Sequence, residues 1–576
     1  MNTKDFTIKA MAVAISLFCS ISINIAAAQS LPGLSLPPTD KREVRAVWLT
    51  TLKNLDWPKT LAKDNISMAK QKEELRQILD KYRQANINTV LFQTVVRATT
   101  VYPSSIEPWD ACMTGRQGVH PGYDPLAFAI EECHKRGMEI QAWIATLPVG
   151  PYDGNAAKRL RRLGYKMFKL EGDAFIDPSS PKTGDLVASL AREITTHYDI
   201  DGIHLDYIRY PEMLPVPKNE SISQWRRNNI TEIVRKVHDA VKDEKPWVKI
   251  SCSPIGKYSD LFRYSSNNWN ARDRVSQDAQ LWLRTGIMDQ IYPMIYFRGN
   301  NFYPFAADWA ENSHGRTVVA GLGTYFLNSR EGGKYGWTID DIRSEMTAAR
   351  WLGIGTAHFR SAFFTSNEQG IYNFASLCFA PYPALVPPMK WECSDKPSKP
   401  LGLTIVGDRL TISDDRNVGR SISYNLYASD LWPVDTESPE NLFLCNIRSK
   451  EVKLPTNTLW RPRFFAVTAT DRYGNESAPI QSWTAPKPAK GQLVCDNSYV
   501  VLSKSMTDDI KKGGYDLVIS NAKGQNIMRK KILYTEKDGK IDVRNLPDGI
   551  YFVRLSRNEI KRKTENTHPG FFIIRR

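Results

Sequence analysis

The stretch Asp199-Ile-Asp-Gly-Ile-His-Leu-Asp-Tyr-Ile-Arg-Tyr-Pro211 concentrates more usable chemistry than any other part of the chain. Side chains alternate along a strand, so His204 and Asp206 share one face while Ile203 and Leu205 share the other. An acid facing inward at the end of a strand is costly unless it is solvated or paired. Arg209 can supply a counter-charge, and Tyr207 and Tyr210 add hydroxyls. Either Asp206 orders its loop through an ion pair with Arg209, or it is a catalytic or charge-stabilising carboxylate. The second is the expectation carried forward.

A second cluster follows the same logic. Gln93, Val95 and Arg97 alternate, which puts Gln93 and Arg97 on one face at a strand end. The loop Tyr102-Pro-Ser-Ser-Ile-Glu-Pro-Trp-Asp110 then brings Glu107 and Asp110 around Trp109, and Glu212 lies just beyond the Asp206 motif. Carboxylates and amides bond sugar hydroxyls, and aromatic faces stack on the C–H surfaces of sugar rings. Trp48, Trp57, Tyr102, Trp109, Trp143, Tyr292, Tyr296 and Trp337 all fall at or near strand ends. Some must be core residues, but their density at one rim points to a pocket for carbohydrate.

The elements that must position these residues are legible as alternation. From Val44 to about Trp391, short apolar runs alternate with amphipathic helical stretches. The runs are at 45–50, 88–94, 138–143, 202–206, 248–252, 290–296, 317–321 and 355–359. Eight such repeats over residues 44–395 predict an α/β fold, a closed (β/α)₈ TIM barrel whose active site lies at the carboxyl ends of its strands. An open doubly wound sheet is the alternative; no Gly-rich phosphate loop follows any strand, which argues against its nucleotide-binding form.

Beyond Trp391 the texture becomes all-β. Pro397-Ser-Lys-Pro400 reads as a linker, and residues 397–485 hold period-2 strands closed by Asp471-Arg-Tyr-Gly-Asn-Glu-Ser477. That unit resembles a fibronectin type III sandwich. Residues 491–576 form a second sandwich, with Gly524-Gln525 at a turn and Leu546-Pro-Asp-Gly-Ile-Tyr-Phe-Val553. It resembles the C-terminal β-sandwich of secreted Bacteroidetes proteins, which implies a secretion, sorting or attachment role. At the other end, Lys4 and Lys9, the apolar run Ala10–Ala27 and Ala26-Ala-Ala28 read as a signal peptide over residues 1–28, with a Pro-rich lead-in over 29–43. The expected address is therefore periplasmic, cell-surface or secreted.

The 576 residues are 42% hydrophobic and 24% charged, ordinary globular values that exclude a wholly disordered chain. No apolar run beyond the N-terminus is long enough to span a membrane. The net charge of +15 is not gathered into one arm of the kind that grips nucleic acid. Residues 493–576 carry 17 Lys+Arg against 10 Asp+Glu, about half the excess. Seven cysteines remain past the signal, scattered and without zinc spacing; Cys378 and Cys393 could pair. No metal constellation is visible, and no cofactor is expected.

Val44 to about Phe364 resembles the glycosyl-hydrolase-like family 10 barrels. The matching segments are Arg45-Ala-Val-Trp-Leu-Thr50 with Asp56-Trp-Pro58, Asn88–Gln93 with Arg97 and Tyr102-Pro-Ser104, Pro108–Leu126, Asp201–Asp206, and Ile287–Tyr296. The resemblance implies an exported glycoside hydrolase acting on a cell-wall or other extracytoplasmic polysaccharide, with peptidoglycan glycan strands one candidate. The usual mechanism needs two carboxyl groups. Asp206 is the first choice, and Glu107, Asp110 and Glu212 are the candidates for the second. Trp48, Gln93, Arg97, Tyr102, Trp109, Trp143, His204, Arg209, Tyr292 and Tyr296 are the expected substrate contacts. The chain departs from the family pattern at Tyr207, where relatives carry a second Asp, at Ala145, where they carry Asn, and at Met294, where they carry Gln. These departures keep open a different function, a non-catalytic glycan-binding or wall-attachment protein on a degenerate barrel.

Overall fold

The computed structural model describes residues 36–574 apart from 332–335, 418–420, 455–463, 482–492, 496–498, 503–514, 533–539 and 558–566. The signal peptide and most of the lead-in segment lie outside the described residues. Eight parallel strands close into a barrel: β1 (Arg45–Leu49), β2 (Thr89–Val95), β3 (Glu139–Ala145), β4 (Gly202–Asp206), β5 (Lys249–Cys252), β6 (Gln290–Ile291), β7 (Thr317–Leu322) and β8 (Gly355–His358). β1 pairs with both β2 and β8, which is the closure. The expected sixth strand is much shorter than its apolar run. Pro293 has no N–H to donate to a ladder, and pairing resumes only as single bridges from Met294 to Ile255 and Gly321.

Each strand except β8 leads to a helix of at least seven residues on the outside: α1 (Asn65–Gln84), α2 (Pro125–Lys135), α3 (Pro181–His197), α4 (Glu220–Glu244), α5 (Ala279–Thr285), α6 (Tyr303–Glu311) and α7 (Ile339–Trp351). Local sequence sets their starts. Asp64 and Ser67 form a reciprocal capping box on α1. Asp124 caps α2 ahead of Pro125, accepting from the Ala127 N–H at 3.0 Å, while the Tyr198 hydroxyl donates to its other oxygen at 2.6 Å. The Tyr-Asp-Pro-Leu motif is thus a helix start tied to α3.

Strand alternation separates two cores. Val47, Leu49, Val90, Phe92, Ile203 and Leu205 pack outward against Leu75, Leu79, Ile194, Val234 and Val237 of the helices. Ala46, Trp48, Leu91, Trp143, Tyr292, Val319 and Ala357 fill the barrel interior. Between β3 and α3 the chain makes an excursion: three short strands (Pro148–Pro151, Met167–Leu170, Asp173–Ile176) and a helix at Asn155–Arg162. The seven cysteines are all free thiols, so the Cys378–Cys393 pairing is not made.

The first all-β unit is a sandwich of a three-stranded and a four-stranded sheet, with Leu410, Ile412, Leu426, Val452 and Val467 at its centre. It is not a free module behind a Pro-rich linker. It docks on the amino-terminal face of the barrel, opposite Asp206. Asp199 and Asp201, just before β4, receive Arg472 at 2.8 and 3.4 Å; Asp199 also receives Arg448, and His134 meets Asp201 at 2.8 Å. Lys41 and Arg42 reach Glu476 at 2.8 and 3.0 Å. Leu385 shares an apolar cluster with Tyr427, Val434, Leu442 and Phe464. Gly137 (φ +74°) lies so close that a Cβ there would sit 2.2 Å from the Cys445 carbonyl oxygen. Hollows of about 230 and 730 Å³ run along this seam, both remote from the strand ends that carry the chemistry. The last all-β unit is again two sheets, with Val500, Leu517, Ile519, Ile541, Val553 and Phe572 buried between them.

Candidate active site

β4 carries His204 and Asp206 inward, as its alternation dictates. His204 is completely buried, and burial pushes its imidazole down to about 3. The Trp48 indole, which can only donate, gives its N–H to His204 Nε2 at 3.3 Å. The ring proton therefore sits on Nδ1 and is donated to Ser251 Oγ at 2.8 Å. Ser251 donates to Gln141 Oε1 at 2.6 Å, Gln141 Nε2 to Gln290 Oε1 at 2.7 Å, and the Tyr292 hydroxyl to the same oxygen at 3.1 Å. Trp48, His204 and Tyr292 are thus members of a satisfied polar layer inside the barrel, not the open contacts expected of them. A neutral, fully engaged histidine holds the floor beneath the mouth.

Asp206 stands one layer higher. Its Oδ1 accepts from Ser253 Oγ at 2.9 Å and from the Tyr207 N–H at 2.8 Å, and its Oδ2 from Trp143 Nε1 at 3.1 Å. Thr146 ties the Asp206 carbonyl through its N–H at 3.0 Å and its hydroxyl at 2.9 Å. Burial pushes the Asp206 carboxyl above its usual value, and the Arg209 charge and the three donors oppose that shift. Trp143 is 4% exposed. Its role here is to fix the carboxylate; it is not a stacking platform.

The chain turns sharply after Asp206. Tyr207 adopts φ +55°, a conformation costly for a bulky side chain, and its carbonyl accepts from the Arg209 N–H at 2.8 Å. The turn exposes the Tyr207 ring and folds the Arg209 guanidinium over it, 4.4 Å from the ring centre. Arg209 is 6% exposed, and its Nε and Nη1 have no hydrogen-bond partner. The Tyr296 hydroxyl is likewise buried and unpartnered, and it feels the charges of Asp206 and Arg209. Three unmet donors beside a fixed carboxylate are an arrangement that a polar ligand completes.

The second-carboxylate candidates separate clearly. Glu107 is buried and paired with Arg159 of the excursion helix, so it clamps that helix to the loop after β2. Asp110 caps the short helix Ala111–Thr114, accepting from the Cys112 N–H at 2.7 Å, and also accepts from the Thr99 hydroxyl at 2.5 Å. Glu212 is partly exposed, 3.7 Å from Arg209 Nε, and joins the cluster around Tyr207. Only Glu212 of the three stands beside the Asp206 group without a structural tie on its carboxylate.

Other expected contacts turn out to hold loops. Gln93 Oε1 accepts from the Thr50 hydroxyl and the Thr51 and Leu52 N–H groups, fixing the turn after β1. A register shift between Gln93 and Val95 and left-handed backbone at Arg97 and Ala98 break the expected alternation, so Gln93 and Arg97 part. Arg97 lies on the rim 3.8 Å from Asp173, and its charge acts on Tyr207. Tyr102 is fully buried in the strand–helix layer with its hydroxyl on Glu193 at 2.8 Å, and does not line the mouth. Trp109 is half-buried, edge-on to His120 at 4.9 Å.

Sequence reasoning missed one wall and one clip. Tyr325 and Phe359 enclose Tyr296, with ring centres 5.8 and 5.5 Å away, and Phe326 stacks on Trp337 at 4.5 Å. They follow β7 and β8 directly, so the strand-end rule applied to Thr324-Tyr-Phe326 and His358-Phe359 would have found them. Asp56 is buried and paired with Arg360, joining the turns after β1 and β8. Among the described residues no three His, Cys, Asp or Glu side chains converge as a metal site.

Comparison with known proteins fits this arrangement. Residues 43–325 match the family described as glycosyl hydrolase-like 10, and residues 485–566 match the secretion system C-terminal sorting domain, which indicates secretion or cell-surface export. The glycosyl hydrolase YngK of Bacillus subtilis is 29% identical over 78% of this chain and 94% of its own length, a share that residues 1–395 alone cannot supply. The glycosyl hydrolase DigH of Escherichia coli is 31% identical, over 48% of this chain and 72% of its own. Among solved structures, the catalytic domain of a Paenibacillus polymyxa β-amylase superposes with a TM-score of 0.42 at 9% identity, over 60% of this chain and 99% of that one. An α-L-fucosidase of Paenibacillus thiaminolyticus gives 0.39 at 13% over 58% of this chain, which spans about half of the fucosidase (49%). With residues 43–325 matched by the family and a relative at 31% identity covered over 72% of its length, the chain belongs to the glycosyl hydrolase-like 10 family.

Proposed function

We propose that the protein is an exported glycoside hydrolase that cuts glycosidic bonds in an extracytoplasmic polysaccharide, with peptidoglycan glycan strands as one candidate substrate. The observation that carries this reading is Asp206. It is a buried carboxylate fixed by three donors at the carboxyl end of β4, under the unpartnered donors of Arg209 and Tyr296. An anchored anion of this kind suits attack on, or stabilisation of, positive charge at an anomeric carbon. Arg209 and Tyr296 would bond sugar oxygens beside it, and Tyr296, Tyr325 and Phe359 supply an apolar wall. Glu212 is the second carboxyl group in this reading, because Glu107 and Asp110 are engaged elsewhere.

The deciding experiment is Asp206→Asn in the full chain, assayed by mass spectrometry of products released from denuded glycan strands and a polysaccharide panel. The isosteric change should leave the melting temperature nearly unchanged and lower turnover on the order of 10³-fold. Turnover within a few-fold of the parent would refute the assignment. The commitment of Glu107 and Asp110 to structural partners is what favours the second reading, a glycan-binding protein without turnover. Binding without released products from any polymer would establish it.

A further inference from the structure

The excursion between β3 and α3 carries an unusual charge pattern. From Asn155 to Leu170, six of sixteen residues are Lys or Arg (Lys158, Arg159, Arg161, Arg162, Lys166, Lys169), and none is Asp or Glu. Arg159 is held in the clamp to Glu107, Arg161 donates to the Tyr152 carbonyl at 2.8 Å, and Lys169 lies 3.9 Å from Asp153. Lys158, Arg162 and Lys166 are exposed and have no ion-pair partner among the described residues. A concentration of like charge opposes its own compactness unless something of opposite sign offsets it.

Aromatic rings are interleaved with these cations. The Arg161 guanidinium lies 4.2 Å from the centre of the half-buried Tyr152 ring, and Lys169 Nζ lies 4.9 Å from the same ring. Lys182 Nζ sits 4.8 Å from the centre of the Tyr165 ring and donates to the Leu163 carbonyl. Those contacts place Tyr152, Arg161 and Lys169 in one cluster and Tyr165 and Lys182 in a second on the surface of the excursion.

That surface joins the mouth of the barrel. Arg97, on the rim, is 3.8 Å from Asp173 of the excursion, and a Cβ on Gly150 would meet the Arg97 side chain at 3.8 Å. Arg97 in turn acts on Tyr207, the residue next to Asp206. A hollow of about 270 Å³ lined by Arg97, Asp110, Val149, Gly150 and Asn155 marks the junction. The start of the helix thus borders the rim, and the Glu107–Arg159 clamp holds the helix to the loop after β2.

We propose that the excursion is an anion-binding arm of the cleft, and that it takes the carboxylate-bearing sugars of an acidic polysaccharide on either side of the bond at Asp206. Lys158, Arg162 and Lys166 meet their negative groups, on a surface that Tyr152 and Tyr165 brace beneath Arg161, Lys169 and Lys182. This deepens the glycosidase reading and rests on it for the position of the cut bond. The partner is a glycan, since the excursion adjoins the rim of the barrel at Arg97.

The test is binding by calorimetry to the full chain carrying Asp206→Asn, so that no cleavage enters. The probes are decameric oligogalacturonate and its methyl ester, which share a backbone and differ in whether each carboxyl is ionised or esterified. We expect at least tenfold tighter binding of the acid at 50 mM salt, with most of the difference lost at 500 mM, where screening is strong. Reversing the arm (K158E/R162E/K166E) should abolish the preference. Reversing three cations of the last domain (K523E/K530E/K531E), the same change in net charge, should leave it intact. Equal binding of acid and ester, or a preference that survives arm reversal or is lost with the control reversal, overturns the proposal. So does poly-glutamate binding the arm as tightly as the acid at equal charge, which would make it a protein-docking surface. Failure of the glycosidase reading would show separately, as no product released by the parent chain from any polymer, and would leave these affinities readable.

Discussion

Trp143→Phe tests the central claim that Asp206 is a working carboxylate held in its ionised form by its neighbours. The variant keeps an aromatic ring in the barrel interior but removes the N–H that donates to Asp206 Oδ2 at 3.1 Å. A hydrogen bond to a charged acceptor contributes about 1.5–3 kcal/mol. The 3.1 Å separation is long for a charge-assisted bond, so the lower end applies. At 1.36 kcal/mol per unit of pKa, losing ~1.5 kcal/mol from the ionised form alone raises the Asp206 pKa by about one unit. Burial already holds that carboxyl above its usual 3.8. If the ionised form is the active one, the acid limb of kcat/KM against pH should move upward by about one unit, with the neutral-pH plateau much less affected. The stability effect has a definite sign. A carboxyl whose folded pKa lies above its unfolded one favours the fold most at low pH, and that contribution is lost as pH rises through the folded value. The deficit in melting temperature relative to the parent should therefore be larger at pH 7 than at pH 4. An unmoved acid limb, in a variant that melts cooperatively, would refute the argument that Asp206 sets the protonation requirement.

Two further outcomes follow from packing and burial. A chain ending at Asp395 should be insoluble or melt far below the full chain, whereas one ending at residue 485 should melt near it, because Leu385, Asp199 and Asp201 lose their covering only in the first; equal melting of both by calorimetry would show that the seam contributes nothing. His204 and His358 are both held neutral with values near 3, so stability is fully present above pH 6.5 and falls as pH drops from there toward 3, by up to about 1.4 kcal/mol per unit for each ring. Urea titrations between pH 7.5 and 5 should show that slope, flattened in His358→Asn, and a flat profile in the parent would contradict the burial of both rings.

The barrel was legible because its cause is local and repetitive. Period-2 runs alternating with helical ones leave few ways to bury every apolar face, and closure into eight strands is the economical one. The inward direction of His204 and Asp206 followed from pleat geometry alone, which no tertiary contact has to decide. The same reasoning failed at Gln93 and Arg97, because a bulge and two left-handed residues change the direction of side chains without any mark in the hydrophobic pattern. Residue type also could not say which acids are free. Glu107, Asp110 and Glu212 are equivalent in sequence, and they differ only because Arg159, distant in the chain, reaches the first, a short helix needs a cap from the second, and the third has neither demand. The Pro-rich segment at 397–400 looked like a boundary because composition reports local backbone preference. The seam that makes barrel and sandwich one unit is built from Leu385, Asp199, Asp201, Arg448 and Arg472, far apart in sequence. Burial and charge pairing between such positions are properties of the folded chain, and the tertiary structure alone decided them.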